Sequence, residues 1–221
     1  MEPKSPEIES TASIALLTKE IAKVPGFGKE ITVRGDNLGV NKWQEMVSAT
    51  QTDGRERGLN VFYNPLTKRF TPGNIVTGGE RNFKTGADTP VDTSDIGLKG
   101  IFSNLVASIH THPLVEESAH LKTSVPSGND IRAFLNHSYS AMVVIDKGGS
   151  HLIVRTREKI DDELPSSDLV QRKIDEVAVK NGTVSDVQKQ LNSMISQYGL
   201  EYFYTDCLVP AENGTITFRK P

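Results

Sequence analysis

Leu105-Val106-Ala107-Ser108-Ile109-His110-Thr111-His112-Pro113 is an apolar run that ends in two histidines and a proline. Residues 105–109 read as a buried strand that delivers His110 and His112 at its C-terminal end. Pro113 has no N–H to donate, so regular strand pairing stops there. After a loop, residues 129–136 read as a helix, and residues 141–146 and 151–157 read as a hairpin turning across Lys147, Gly148 and Gly149. This order of strand, loop, helix, strand, strand predicts an α/β fold.

Upstream, Ile14, Leu17, Ile21 and Val24 recur at helical spacing, and Pro25-Gly26 ends that pattern. A short helix is expected over 41–49, with Asn41 as N-cap and Trp43, Met46 and Val47 as its apolar face. Leu59, Val61 and Tyr63 alternate along a strand, 65–68 makes a turn, and a second strand is expected at 73–77. Residues 78–99, rich in Gly, Asp, Thr and Lys, read as a surface connection, and the next core element begins at Ile101. Downstream, helices are expected over 168–180 and 185–198, with Gly182 and Gly199 suited to their C-terminal ends. A strand pair over 202–209 and 215–219, joined around Asn213-Gly214, closes the chain. The expected division is an N-terminal helical segment (1–53) packed on a core (54–160), with 161–221 adding helices and the strand pair.

Length and composition fit one main domain with elaborations, because 221 residues with 36% apolar side chains can bury a sizeable core. A formal charge of −3 and the lack of a long Lys/Arg run speak against a nucleic-acid partner. No apolar stretch approaches the length of a membrane span, and the first 13 residues are acidic and Pro/Ser-containing, unlike a signal peptide. The expected location is therefore cytoplasmic, with secretion by a signal-independent route left open. A single cysteine, Cys207, excludes an intramolecular disulfide and a thiolate-rich zinc site. Lying in an apolar stretch, it is expected to be a small core residue.

The chemistry concentrates in His110-Thr111-His112-Pro113 and Pro126-Ser127-Gly128-Asn129-Asp130. Histidines at i and i+2 on a strand share one face, so both imidazoles reach one ion, and a carboxylate from the following helix completes a three-ligand site. Three N/O ligands leave a fourth position for water, the arrangement of a catalytic zinc site. A second carboxylate is then needed to move a proton.

These residues resemble the JAMM motif of the MPN-type (JAB-like) zinc metalloproteases: an upstream Glu, His-x-His, then Ser-x-x-Asp. The likeness covers about residues 54–157. It implies a cytidine-deaminase-like α/β core in which a mixed, curved sheet is flanked by helices, zinc held by His110, His112 and Asp130, and Ser127 as hydrogen-bond donor to the oxyanion. It also implies a Glu general acid/base and cleavage of peptide or isopeptide bonds, often on ubiquitin-like tails. Two features depart from the family pattern. Residues 113–126 form a longer loop, read as an insertion beside the metal. The Glu is either Glu56, at the mouth of the 59–63 strand and the better fit, or Glu80 at the far end of the same hairpin.

Ordinary roles exist for each of these residues. Ser127 suits the N-cap of the following helix and Asp130 its first turn, roles compatible with catalysis. Glu56, between Arg55 and Arg57, also reads as a solvated charge. Glu116 and Glu117 in the insertion suit a lid or a preference for basic substrates, or plain solvation. His120, His137 and His151 have no partner at ligand spacing and are expected at the surface or at helix ends. Two other classes compete with the hydrolase reading. One is an MPN-like scaffold that binds protein or zinc without catalysis. The other is an amidohydrolase or phosphoesterase, whose (β/α)8 barrel needs more strand–helix units than this chain has.

Overall fold

The computed structural model describes residues 29–34, 40–67, 69–79, 104–113, 125–137, 140–155, 166–179, 183–212 and 214–221. The elements are β1 (Glu30–Arg34), α1 (Val40–Asp53), β2 (Arg57–Asn64), β3 (Arg69–Pro72), β4 (Val76–Thr77), β5 (Asn104–Thr111) and α2 (Gly128–Asn136). Then follow β6 (Ala141–Asp146), β7 (Gly149–Arg155), α3 (Ser167–Val179), α4 (Val184–Ser196), β8 (Leu200–Thr205) and β9 (Thr215–Arg219). Among the described residues the strands form one mixed sheet in the order β1-β9-β8-β7-β6-β5-β2-β3, with β4 also on β2. The β5–β6 pair is parallel and its crossover carries α2; the other pairs are antiparallel.

Apolar side chains on both faces of the central strands explain the layers. Ala141, Val143 and Ile145 of β6 join Leu59, Val61, Ile109 and Phe203 on one face, which α1 covers with Trp43, Met46 and Val47. Met142 and Val144 point the other way, into a second core with Ile131 and Phe134 of α2, Val170 and Ile174 of α3, and Val187, Leu191 and Ile195 of α4. β6 and β7 are buried along their whole length; β6 accordingly reads as a near-continuous apolar run, while β7 also buries Ser150, His151 and Arg155. The chain is thus α/β, with helices on both faces of a mixed sheet.

Several boundaries differ from expectation for local reasons. α1 begins at Val40, so Asn41 lies one residue inside the helix. The helix runs on to Asp53 and stops at Gly54, whose φ of 70° is left-handed and whose N–H bonds the Thr50 carbonyl. The strand expected at 73–77 is reduced to β4 at Val76–Thr77, and the return strand β3 starts earlier, at Arg69, directly after a turn in which Asn64 Oδ1 accepts from the N–H groups of Leu66 and Thr67. β1 was not foreseen; Ile31 and Val33 alternate with Thr32 over only five residues, and its partner is β9 at the other end of the chain. β8 and β9 are antiparallel neighbours, as expected of the closing strand pair, but their register gives one paired position, Tyr204 with Arg219, and β9 pairs along its length with β1. β8 ends at Thr205 and leaves Cys207 exposed, not in the core. The 14–24 helix, residues 80–99 with Glu80, Ile101, the insertion carboxylates Glu116 and Glu117, His120 and Gly182 lie outside the described residues.

Candidate metal centre

β5 runs antiparallel to β2 and parallel to β6, and the three converge at one end of the sheet. Gly58 pairs with His110 and Arg57 with Thr111 on one side, and on the other His110 pairs with Val144 and Thr111 with Ile145. His112, one residue past the strand, keeps the alignment by donating its N–H to the Ile145 carbonyl at 2.8 Å. Strand alternation puts His110 and His112 on the face that α2, α3 and α4 cover. Thr111 points the other way and its hydroxyl ties three elements together: it lies 2.8 Å from the Thr50 hydroxyl of α1 and accepts the Arg57 N–H at 3.0 Å. The Arg57 guanidinium is held in turn by both Asp53 carboxylate oxygens at 2.8 and 2.6 Å. The end of β5 is therefore fixed from behind.

α2 brings in the third member. Its N-terminus carries a capping box, in which Ser127 Oγ accepts from the Asp130 N–H at 3.2 Å and the Asp130 carboxylate accepts the Ser127 N–H at 2.7 Å. Gly128 N–H donates to Gln171 Oε1 of α3, and a Cβ on Gly128 would stand 2.2 Å from the Ser167 carbonyl oxygen, so only glycine lets the two helices approach this closely. At the other end, Arg155 of β7 donates to the carbonyls of Phe134 and His137, His137 being the C-cap residue. His137 thus stands at a helix end, as expected.

The result is a three-residue cluster. Asp130 Oδ1 lies 3.0 Å from His110 Nε2 and Asp130 Oδ2 lies 3.2 Å from His112 Nε2, and the three donor atoms fall within 4.8 Å of one another. Tetrahedral zinc with bonds of about 2.0 to 2.1 Å would separate its ligand atoms by about 3.3 Å. The donor set and its spacing therefore fit a divalent ion, and among the described residues it is the group of His, Cys, Asp and Glu side chains with that property. Ser127 Oγ donates to Asp130 Oδ2 at 2.7 Å, within the same cluster.

The electrostatics couple the imidazoles to the carboxylate. Burial works against a charge on His112, yet the Asp130 carboxylate beside it outweighs burial, and Glu56 and Asp146 add to the effect; the imidazole is pushed up to about 9. Burial likewise works against the Asp130 charge, and His112 and His110 overcome it, holding the carboxyl well below the usual range. Glu56, one residue before β2, is thus close enough to act on His112. Its backbone is fixed by the Gly78 N–H donating to its carbonyl at 2.8 Å, and the neighbouring Arg55 guanidinium grips the Gly78 carbonyl. His110, His112, Asp130 and Ser127 are in this way brought together, and Glu56 is near enough for its charge to act on His112.

His151 departs from the expected position. His151 is neither at the surface nor at a helix end but 1% exposed inside β7, with Nε2 3.0 Å from Asp146 Oδ2 and Nδ1 2.7 Å from the Tyr202 hydroxyl. The signal was present in the hairpin: a two-residue turn at 147–148 sets Val144 opposite His151 and so places His151 on the face of His110. The contact with Tyr202 needed the position of β8, which no local pattern supplies.

The chain matches no protein-family model, and no curated protein is significantly similar to it in sequence. No helix among the described residues is long and apolar enough to cross a membrane.

Proposed function

We propose that the chain is a zinc-dependent hydrolase of amide or isopeptide bonds built on an MPN-like core, acting on a peptide or protein substrate such as a ubiquitin-like tail. The observation that carries this reading is the convergence of His110, His112 and Asp130 within 4.8 Å at the ends of β5 and α2. A zinc ion held by three N/O donors supplies Lewis acidity and makes hydroxide available at neutral pH. Glu56 takes the proton of the attacking water and returns it to the leaving amine; its charge is already felt at His112. The Ser127 hydroxyl, which donates to Asp130 Oδ2 at 2.7 Å in the absence of substrate, turns to donate to the developing oxyanion. Glu80 is the competing general base.

Elemental mass spectrometry of protein purified without chelator tests the ion first. Zinc at about one per chain in wild type, lost in His112→Ala, is the expected result. Wild type without zinc, even after reconstitution, would favour the scaffold reading. With zinc retained, Glu56→Gln is then expected to abolish cleavage of peptide and isopeptide substrates. Loss in Glu80→Gln alone would move the general base there, and loss in neither would leave a zinc-binding protein without this chemistry.

A further inference from the structure

Asp130 Oδ1 and Oδ2 hold the Nε2 atoms of His110 and His112 at 3.0 and 3.2 Å. These are the donor atoms an ion would take, so with a cation bound they no longer hold the rings to one another. The spacing of the two imidazoles then depends on the backbone of residues 110–112. On the β6 side that backbone is held by the His112 N–H, which donates to the Ile145 carbonyl. On the β2 side the hold includes a side chain, Thr111, which faces away from the site towards α1. Thr111 Oγ1 accepts the Arg57 N–H at 3.0 Å and lies 2.8 Å from Thr50 Oγ1 of α1. Thr50 Oγ1 accepts in turn from Arg57 Nη1, more weakly, at 3.4 Å. Both Asp53 carboxylate oxygens and the Arg55 carbonyl fix the guanidinium. Arg57 thus donates into both hydroxyls, to one from its backbone and to the other from its side chain.

Packing alone does not call for these hydroxyls. Thr50 and Thr111 are both 0% exposed and Arg57 is 9% exposed, and a buried hydroxyl carries a desolvation cost that a valine of the same shape would avoid. The hydroxyls lie on the reverse face of the strand that delivers two of the three ion ligands, and one of them belongs to the residue between those ligands. Ligands held within about 0.5 Å of their working geometry by hydrogen bonds behind them bind without reorganising. Outer partners of this kind commonly govern metal affinity. We infer that Thr111 is a positioning residue for the ion site: its hydroxyl, backed by Thr50 and Arg57, holds the backbone between His110 and His112 so that both imidazoles reach one divalent cation. α1, on the far side of the sheet, is thereby joined to the site. This rests on the metal-centre reading above.

The test is zinc binding to the full chain by competition with a chelating dye, well below the unfolding temperature, in wild type, Thr111→Val, Thr111→Ser and Thr50→Val. The thermal midpoint of each metal-free protein is measured alongside. Val keeps the branched shape and removes the hydroxyl; Ser keeps the hydroxyl and gives up a methyl group. Zinc affinity is expected to fall about tenfold or more in Thr111→Val and to stay within about twofold of wild type in Thr111→Ser. Thr50→Val removes the partner hydroxyl without altering β5, and a fall of about threefold or more is expected. A merely structural hydroxyl would lower the thermal midpoint of Thr111→Val and leave the zinc affinity of the folded protein within about twofold of wild type. That result would overturn the inference while leaving the metal centre intact. Equal losses in Thr111→Val and Thr111→Ser would also overturn it, because the hydroxyl would not be the group that matters. Should Thr111→Val fail to fold, Thr50→Val decides by the same criterion. Wild type that binds no zinc removes the metal centre and its positioning residue together.

Discussion

His112 is strongly perturbed at the site, and the sign of its shift makes a prediction. Its folded value of about 9 lies above the ordinary 6.5, so without metal the protonated imidazole stabilises the fold fully below about 6.5. That contribution is lost as pH rises from about 6.5 through about 9. Metal-free protein held in chelator should therefore lose stability over that window, by on the order of 3 kcal/mol at most. Thermal midpoints at the two ends of the window check this, with His112→Ala, which lacks the group, showing a much flatter profile. Zinc must displace the same proton, so apparent zinc affinity should rise with pH across the window. A flat affinity profile would place the proton elsewhere.

At the scale of elements, α2 is the part that must be held in place, because Ser127 and Asp130 both sit at its first turn. Its N-terminus rests on α3 through Gly128, and its C-terminus hangs on Arg155. Gly128→Ala forces a methyl group against the Ser167 carbonyl, and overpacking of this kind costs about 1 to 3 kcal/mol. The helix will shift to relieve it, moving Asp130 away from two histidines fixed on β5. Lower zinc affinity together with a lower thermal midpoint is expected; a variant with the affinity of wild type would show that α3 gives way instead. The helix itself was legible to within one residue, since Ser-x-x-Asp before an apolar face is a capping signal. The approach of α3 to Gly128 was not, because it joins segments that have no sequence pattern in common.

For the whole molecule, closure of the sheet depends on the last strand. β9 lies between β1 and β8, and Ile216 and Phe218 of β9 are buried in the core that α1 covers. Deletion of residues 211–221 removes those side chains and leaves Ile31 and Val33 of β1 without a partner strand. An unpaired apolar edge of this kind invites association between chains. The truncated protein should be insoluble or oligomeric by size-exclusion chromatography with light scattering. A monomeric, cooperatively melting product would mean that β1 and β9 are dispensable to the fold.

The sequence by itself determined the elements with strong local signals. These are the apolar runs of β5, β6 and β7, the capped helices, and the pairing of His110 with His112 on one face of a strand, all set by side-chain period and turn chemistry over a few residues. It also placed Ser127 and Asp130 at a helix start. Tertiary structure decided that Asp130 meets both histidines, that Glu56 lies close enough to act on His112, and that Asp146, His151 and Tyr202 form one buried line. It also decided that β1 pairs with β9 across the length of the chain. These outcomes depend on which strands neighbour one another and how closely helices approach. Burial of two apolar sheet faces against α1 on one side and α2, α3 and α4 on the other selects them, and no window of the sequence encodes that selection alone.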